Sequence, residues 1–401
     1  MSKVKAVLLS SFSTLLIASI TFSIIYFKTV DSNSTALAVN LPAENNENAY
    51  IKTPVAEKTK EEKNDLISSS RNNIITETVK KVSPAIVGIN VTEIRQYRSP
   101  LSRDPFFRYF FGDRIYEREI QGLGSGTIIS PDGYIVTNDH VAGNGEKIIV
   151  TMTDGSQYDA KIVGTDQISD VCLLKIEADN LPYVKLGDSD DIMIGEWVIA
   201  LGNPFGLFAI NDKPTVTVGV LSATGMHLGQ VDKRHYINMM QTDAAINSGN
   251  SGGALVNSMG ELVGMNTLIY TAQGSSGNVG VGFAIPINKI KKVVGELKKN
   301  GSVDRDFWTG LRIQTIDEGI AKYYGLENTR GVIITHVEKG SPAEAAGLEA
   351  GDIVKAVGKF RINDDNTMIS VLQEFRTNNI IKLKIIRNDK EIIKSMKLEK
   401  R

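Results

Sequence analysis

Short apolar runs separated by turn-forming residues recur through the middle of the chain. They occupy residues 85–91, 126–129, 134–136, 147–152 and 171–176. Between them lie Pro131-Asp132-Gly133 and Asp154-Gly155, which are typical turn sequences. Because the runs are short and no helical segment alternates with them, the pattern predicts an antiparallel β-barrel or β-sandwich and not a series of βα units.

A helical pattern closes this region. Apolar residues between Ile290 and Leu297 recur at helical spacing, and Asn300-Gly301 predicts the end of the helix. We therefore predict one domain at residues 73–299 and a smaller one at residues 302–400. The second domain carries signals of a mixed α+β fold, namely a strand at residues 331–337, a helix face formed by Met368, Val371, Leu372 and Phe375, and an alternating strand at residues 381–385.

The start of the chain has a membrane-spanning pattern. Residues 6–27 contain no charged side chain and are mostly apolar. A helix of that length is about 33 Å long, close to the thickness of a bilayer. Since Lys3 and Lys5 precede the segment, we predict a cytoplasmic tip and a transmembrane signal anchor at residues 1–30, with the remainder of the chain outside.

Two further features follow the apolar segment. Residues 31–72 are rich in Asn, Glu, Lys, Ser and Thr, and this composition predicts a flexible linker. Ala36-Leu37-Ala38 resembles a signal-peptidase site, although it lies far beyond the apolar run. A cleaved signal peptide is therefore the alternative to a retained anchor.

Composition excludes several classes of function. The formal net charge is -1 and no dense stripe of Lys or Arg is present, which disfavours nucleic-acid binding. Cys172 is the single cysteine, so no intrachain disulfide can form, and its apolar strand predicts a small core side chain. No Cys/His cluster has the ligand spacing of a zinc site, and we expect neither a metal nor a cofactor.

One serine lies in a setting that suits a nucleophile. Gly249-Asn250-Ser251-Gly252-Gly253 places Ser251 among glycines that permit a tight turn. Such a turn directs the backbone N–H groups of Gly249 and Ser251 to one point, so we assign the oxyanion hole to Gly249, Asn250 and Ser251. A Gly/Ser-rich stretch taken alone is more often a plain loop.

A base and an orienting acid can be chosen for this serine. His140 follows the short strand at residues 134–136, and Asp170 directly precedes the apolar run at residues 171–176. Acyl transfer requires a nucleophile, a base and a group that holds the base in its useful tautomer. We therefore predict His140, Asp170 and Ser251 as a catalytic triad, in the chain order found in chymotrypsin.

The motifs around these residues resemble the HtrA (high-temperature requirement) serine protease family. The matching stretches are Gly124-Ser125-Gly126, Thr137-Asn138-Asp139-His140, Ser169-Asp170-Val171, Leu201-Gly202-Asn203-Pro204-Phe205-Gly206, Gln241-Thr242-Asp243-Ala244-Ala245-Ile246-Asn247 and the serine motif. The resemblance implies a mainly β, trypsin-like double β-barrel, a homotrimer, no metal, and cleavage after small aliphatic residues in unfolded or membrane-tethered proteins. With one membrane helix the chain is most similar to the DegS-type members, which implies a bacterial inner-membrane protein of quality control or stress signalling that faces the periplasm.

A second set of motifs, near the end of the chain, resembles a PDZ domain. Trp308-Thr309-Gly310-Leu311 resembles the carboxylate-binding loop of PDZ domains, and residues 340–348 and 351–354 match their next segment. Backbone N–H groups of such a loop hold the terminal carboxylate of a peptide that extends the sheet. The resemblance therefore implies C-terminal peptides as ligands of Trp308, Thr309, Gly310 and Leu311. The alternative is an α+β packing domain without a ligand.

Two positions depart from the family pattern. Met226 stands where members commonly carry an arginine that relays PDZ or substrate occupancy, and His227, Lys233 or Arg234 are candidates to replace it. Ser248 stands where a proline is usual, which predicts a more mobile oxyanion loop. Asn250 is neutral and cannot form the ion pair that activates digestive relatives, so we expect gating by loop ordering and not by zymogen cleavage.

Two questions remain open from the sequence. The aromatic cluster at residues 106–111 suits either core burial or contact with a neighbouring subunit. The intact candidate triad favours a peptidase over a catalytically silent peptide-binding scaffold or chaperone. An esterase is the third hypothesis, disfavoured by the catalytic order and the PDZ motif.

Overall fold

A computed structural model of the chain describes residues 71–98, 115–203, 213–247, 249–269 and 279–401. The predicted membrane anchor, all but the last two residues of the predicted linker, the aromatic cluster and Ser248 lie outside the described residues. Within these ranges no helix is both long and apolar enough to cross a membrane.

The first barrel is closed in the order β1-β2-β3-β6-β5-β4. All its neighbouring strands are antiparallel, and its core contains the fully buried side chains of Ile86, Ile135 and Leu174. Its strands are β1 (Ile86–Arg98), β2 (Ile115–Ile128), β3 (Tyr134–Thr137), β4 (Lys147–Thr151), β5 (Gln157–Asp166) and β6 (Val171–Ile176). These strands contain most of each predicted run, and the barrel confirms the antiparallel β prediction.

Helix α1 (Ile74–Val82) precedes the first barrel. Its N-terminus is capped reciprocally, because Asn73 Oδ1 accepts from the backbone of Thr76 and Thr76 Oγ1 accepts from the backbone of Asn73. Thr78 Oγ1 then donates to Ser258 O at 2.6 Å, which ties the helix to the second barrel.

The second barrel is closed in the order β11-β14-β13-β12-β7-β8. Its strands are β7 (Trp197–Gly202), β8 (Thr215–Met226), β11 (Met239–Thr242), β12 (Ala254–Asn257), β13 (Leu262–Ile269) and β14 (Gly282–Pro286). Between β8 and β11 the chain forms a small hairpin of β9 (Gly229–Val231) and β10 (Arg234–Tyr236). Two closed barrels confirm the double β-barrel that the family resemblance implied.

A helix joins the barrels to the last domain. The short helix α2 (Asp139–Ala142) follows β3, and α3 (Ile287–Asn300) follows β14. Helix α3 buries Ile290, Val293 and Leu297 in the same apolar cluster as the first barrel. It ends where the sequence predicted, because Gly301 adopts φ +73° and its N–H bonds back to Leu297 O.

The C-terminal domain is one antiparallel sheet with three helices, as predicted for an α+β unit. Its strands run β15-β16-β17-β19-β20, with β18 beside β17. The strands are β15 (Leu311–Thr315), β16 (Val332–Val337), β17 (Ile353–Val357), β18 (Phe360–Arg361), β19 (Ile380–Arg387) and β20 (Lys390–Lys397). The helices are α4 (Glu318–Tyr323), α5 (Pro342–Ala345) and α6 (Asp365–Leu372). Met368 and Val371 of α6 are buried against the sheet.

Charged side chains join this domain to the barrels. Arg305 forms two hydrogen bonds to Asp166, at 2.5 and 2.8 Å, and both side chains are 6% exposed. Two further ion pairs cross the same contact, namely Lys289 Nζ to Glu374 at 2.5 Å and Arg376 Nε to Glu296 at 2.9 Å. The segment just after α6 is therefore held on helix α3 by two ion pairs.

Candidate active site

The imidazole of His140 lies against the carboxylate of Asp170. Helix α2 carries His140, and Asp170 occupies the residue before β6, where it adopts the left-handed φ of +58°. His140 Nδ1 is 2.8 Å from Asp170 Oδ2 and 3.0 Å from Oδ1, and the His140 backbone N–H donates to Oδ1 at 3.0 Å. Asp170 therefore holds both the ring and the backbone of His140, and leaves Nε2 for the opposite side.

The Asp170 carboxylate is fully buried but stays ionised. Burial on its own favours the neutral form. The hydrogen bonds and charge of His140, together with the hydroxyl of Thr267, outweigh that effect and hold the pKa of Asp170 below its ordinary value. The Asp170 charge is thus available to stabilise an imidazolium at His140.

Three neutral side chains also donate to Asp170 Oδ2. They are Thr267 Oγ1 at 2.9 Å, Tyr236 OH at 3.0 Å and Asn138 Nδ2 at 3.2 Å. Burial, and then the neighbouring Asp170 charge, raises the pKa of Tyr236, so its phenol remains a donor. No motif or spacing in the sequence had indicated Tyr236 or Thr267.

One cation reaches the same carboxylate. Arg234 Nε donates to Asp170 Oδ1 at 3.1 Å, and Arg234 Nη2 donates to Asp139 Oδ2 at 2.7 Å. The Arg234 side chain is 11% exposed. Among the three residues considered as replacements for the family arginine, Arg234 is therefore in contact with the candidate triad, whereas Lys233 is exposed and has no ion pair among the described residues.

The serine loop is shaped by two glycines and by Ser125. Gly249 and Gly252 adopt φ +93° and +84°, which side chains rarely tolerate. A Cβ at Gly252 would lie 2.1 Å from Ser125 O. Ser125 also donates its hydroxyl to Gly249 O at 2.6 Å, and its N–H to Ser251 O at 2.9 Å. This buried serine therefore fixes the loop on both sides of Asn250.

The Ser251 hydroxyl forms a hydrogen bond to a backbone carbonyl in this structure. Ser251 Oγ donates to Thr267 O at 3.0 Å. The Asn250 amide is engaged in the turn, since it donates to Asn247 O at 3.0 Å, whereas no partner among the described residues occupies the amides of Gly249 and Ser251. A cavity of about 230 Å³ is lined by His140, Gly249 and Ser251. The residues that carry the two free amides and the candidate base thus line one cavity.

The predicted carboxylate loop of the second domain borders a groove. Gly310 adopts φ +74°, and the loop is fixed from behind because Thr309 O and Gly310 O accept from Ala343 and Glu338. A cavity of about 420 Å³ lies between β15 and α6, and its walls include Trp308, Thr309, Gly310, Leu311, Ile369 and Leu372. Strand β15 ends the sheet on this side, so its free edge can pair with an added strand.

Within the described part of the chain, no group of three or more His, Cys, Asp or Glu side chains is arranged to hold a metal ion. Cys172 is fully buried, and burial raises the pKa of its thiol to about 12. This thiol is therefore a core side chain and not a nucleophile.

Comparison with known proteins gives one family. The trypsin-like peptidase domain matches residues 124–265, and the PDZ domain matches residues 310–398. A "Probable periplasmic serine endoprotease DegP-like" of Marinomonas sp. (strain MWYL1) is 42% identical over 344 residues, which are 81% of this chain and 71% of that protein.

Solved structures agree with this. The HtrA-type protease AlgW with decapeptide is 35% identical, with a TM-score of 0.61 over 82% of this chain and 99% of that one. The serine endoprotease from Yersinia pestis is 32% identical, with a TM-score of 0.52 over 82% and 98% of the two chains. The chain therefore belongs to the HtrA-type serine proteases, and is a serine endopeptidase that joins a trypsin-like peptidase domain to a PDZ domain.

Proposed function

We propose that this endopeptidase cleaves proteins through an acyl-enzyme formed by Ser251, His140 and Asp170. The observation that carries the proposal is the pair of contacts between His140 Nδ1 and the buried Asp170 carboxylate, next to a cavity shared by His140 and Ser251. In the reaction, His140 Nε2 takes the proton of the Ser251 hydroxyl as Oγ attacks the scissile carbonyl, and then protonates the leaving amine. Water repeats the sequence to release the acyl group.

The developing oxyanion would be held by two backbone amides. Gly249 and Ser251 supply N–H groups that carry no hydrogen bond to any described residue, and Ser125 fixes the loop that carries them. The Asn250 amide is committed to the turn, so the proposal keeps Gly249 and Ser251 as the donors. Donors that are already in place stabilise the transition state without reorganisation at the moment of reaction.

The proposed attack requires a change in the Ser251 side chain. The Ser251 hydroxyl bonds to Thr267 O, and it must rotate toward His140 before attack. We infer that a peptide in the PDZ groove favours the rotated state. The route is short, because α6 forms one wall of the groove, while Glu374 and Arg376 just after its end form ion pairs with helix α3.

The groove suits C-terminal peptides with an apolar last residue. Trp308, Thr309, Gly310 and Leu311 would receive the terminal carboxylate, and Ile369 and Leu372 give the groove an apolar wall. Related structures were solved with a decapeptide and with a tripeptide bound to the protease AlgW, which supports peptide binding.

The relatives and the sequence support a proposal for the cellular location of the enzyme. The relatives are named periplasmic, and residues 6–27 have the length and polarity of a membrane anchor. We propose a homotrimer anchored in the bacterial inner membrane, facing the periplasm, that cleaves unfolded or membrane-tethered proteins in quality control or stress signalling.

The test compares the full-length chain in mild detergent with its Ser251→Ala variant, using a denatured reporter protein as substrate. Peptides with a free apolar C-terminus are added, and the same peptides with an amidated C-terminus are the matched control. We expect cleavage only with Ser251 and stimulation only by the free carboxylate. Absence of serine-dependent cleavage favours a silent scaffold, turnover of small esters alone favours an esterase, and equal stimulation by both peptides refutes carboxylate recognition at the PDZ loop.

A further inference from the structure

One short segment faces the candidate triad on one side and the PDZ domain on the other. Strand β10 comprises Arg234, His235 and Tyr236, and Ile237 follows it. Arg234 and Tyr236 both donate to Asp170, at 3.1 and 3.0 Å. Because successive side chains of a strand point to opposite faces, His235 and Ile237 lie on the other side.

The other side is covered by the PDZ domain. His235 is buried, and its Nδ1 lies 2.8 Å from Ser370 Oγ on α6. Ile237 is fully buried in the apolar cluster that also contains Phe360 and Val371 of the PDZ domain. The position of β10 beside Asp170 is therefore set in part by the domain that carries the peptide groove.

We propose that Arg234 is a positioning residue for the orienting acid of the triad, held in place by the PDZ-facing side of β10. This inference rests on the proposed triad and adds its regulation. The guanidinium spans two buried carboxylates, Asp170 and Asp139, which are 0% and 6% exposed. Its rigid fork fixes both acids at once, which a single-point cation could not do.

The contact has an electrostatic consequence. Asp170 stabilises the positive charge that His140 acquires in the transition state, and a cation bonded to Asp170 partly offsets that effect. Removal of the Arg234 charge should therefore let His140 hold its proton to higher pH. Other ionisable groups facing this pair stay unchanged in such a variant, namely Asp139 on α2, Tyr236 on β10, Cys172 on β6 and Glu93 on β1.

The experiment measures two rates of the full-length enzyme between about pH 5 and 9. They are the labelling of Ser251 by an organofluorophosphate and the steady-state cleavage of a peptide. We expect Arg234→Gln to lower kcat about tenfold or more, and to move the acidic limb of both profiles to higher pH by about half a unit or more. Arg234→Lys should keep the limb in place but lose part of kcat, because one ammonium cannot span both acids.

The matched control is Lys233→Gln, which removes the same charge from an exposed neighbour and should change neither kcat nor the limb. If Arg234→Gln folds poorly, Arg234→Lys still tests the proposal through its kcat. A wild-type kcat in Arg234→Lys, or an acidic limb identical to that of the wild type in a folded Arg234→Gln variant, overturns the proposal.

A readout that needs no turnover separates this inference from the proposed function. In the Ser251→Ala background, the NMR titration of the His140 ring should move to higher pH when Arg234 is replaced by Gln. If the wild type shows no Ser251 labelling, the proposed mechanism fails. The NMR titration still tests whether Arg234 influences the pair of His140 and Asp170. If labelling occurs and the titration does not move, Arg234 has no influence on the pair and the inference is wrong.

Discussion

Replacing Arg305 by Met should loosen the PDZ domain from the barrels. Arg305 bonds twice to Asp166, once to Ser169 Oγ at 2.8 Å and once to Gln373 O at 2.7 Å. Burial alone would raise the pKa of Asp166, but the hydrogen bonds and charge of Arg305 outweigh it and hold that pKa below its ordinary value. Asp166 therefore depends on Arg305 to remain charged inside the contact.

The expected loss of stability comes from the carboxylate of Asp166, which the variant leaves without its cation. Arg305→Met keeps the apolar stem but leaves a carboxylate that is 6% exposed without its cation. Loss of one partner of a buried ion pair costs about 3–5 kcal/mol, because the remaining charge stays desolvated. This penalty is relieved when the PDZ domain unfolds, so the variant should lower the free energy of unfolding of that domain by about 3 kcal/mol.

The assay is urea unfolding followed by tryptophan fluorescence. Trp197 and Trp308 are the two tryptophans, and Trp197→Phe leaves Trp308 to report on the PDZ domain. With a denaturant slope of about 1–3 kcal/mol per molar, Arg305→Met should lower the urea midpoint by about 1–3 M. Adding Asp166→Asn should recover most of the loss, because the unpaired charge is then gone.

The control is an exposed ion pair on the PDZ sheet. Lys384 and Glu391 are 45% and 57% exposed, so Lys384→Met should cost less than about 1 kcal/mol. A midpoint for Arg305→Met that shifts no more than that of Lys384→Met would refute the reasoning, since it would mean that water reaches Asp166.

Two further predictions concern the serine loop and the domain contact. Gly252→Ala should abolish cleavage, because its Cβ would lie 2.1 Å from Ser125 O. Gly155→Ala has a similar φ of +83° but open space around its Cβ, so this control variant should keep full activity. Cleavage assays of both variants check this, and an active Gly252→Ala protein would contradict it. Burial, with the charges of Lys289 and Arg305, holds the pKa of His235 below its ordinary value of about 6.5, so His235 stabilises the fold above that pH and this contribution is lost as pH falls. The PDZ urea midpoint should therefore fall between about pH 7.5 and 5.5 more in the wild type than in His235→Gln, and an equal fall in both would contradict this assignment.

Local pattern predicted the strands because each short apolar run has its own turn signals. Strand β6 coincides with the run at residues 171–176, and the turn before β3 is closed by Gly133 at φ +96°. Strand β1 extends beyond its predicted end at Val91 to Arg98. The extra residues lack an apolar run, and their strand state comes from antiparallel pairing with β2, which no local window contains.

The sequence predicted those residues of the site that lie in recognisable motifs. His140 and Asp170 were chosen from short motifs, and the structure places them in contact. Arg234 and Tyr236 lie more than sixty residues along the chain from Asp170, after a strand, β8, whose pairing with β11 is irregular. The periodicity of a sequence does not reveal a strand register that is set by such bulges. The contacts of Arg234 and Tyr236 with Asp170 could therefore be found only in the structure.

Two of the contacts between the domains lie next to Asp170, the proposed acid of the triad, and not next to Ser251, its proposed nucleophile. From one side Arg305 bonds to Ser169, the residue before Asp170, and from the other β10 carries Arg234. Helix α6 stands behind both, through Gln373 O just after its end and through Ser370. A peptide that shifts α6 would therefore act first on the orientation of Asp170. Since a triad with its acid displaced still has its nucleophile and oxyanion amides, regulation through the acid would lower kcat while leaving substrate binding largely intact.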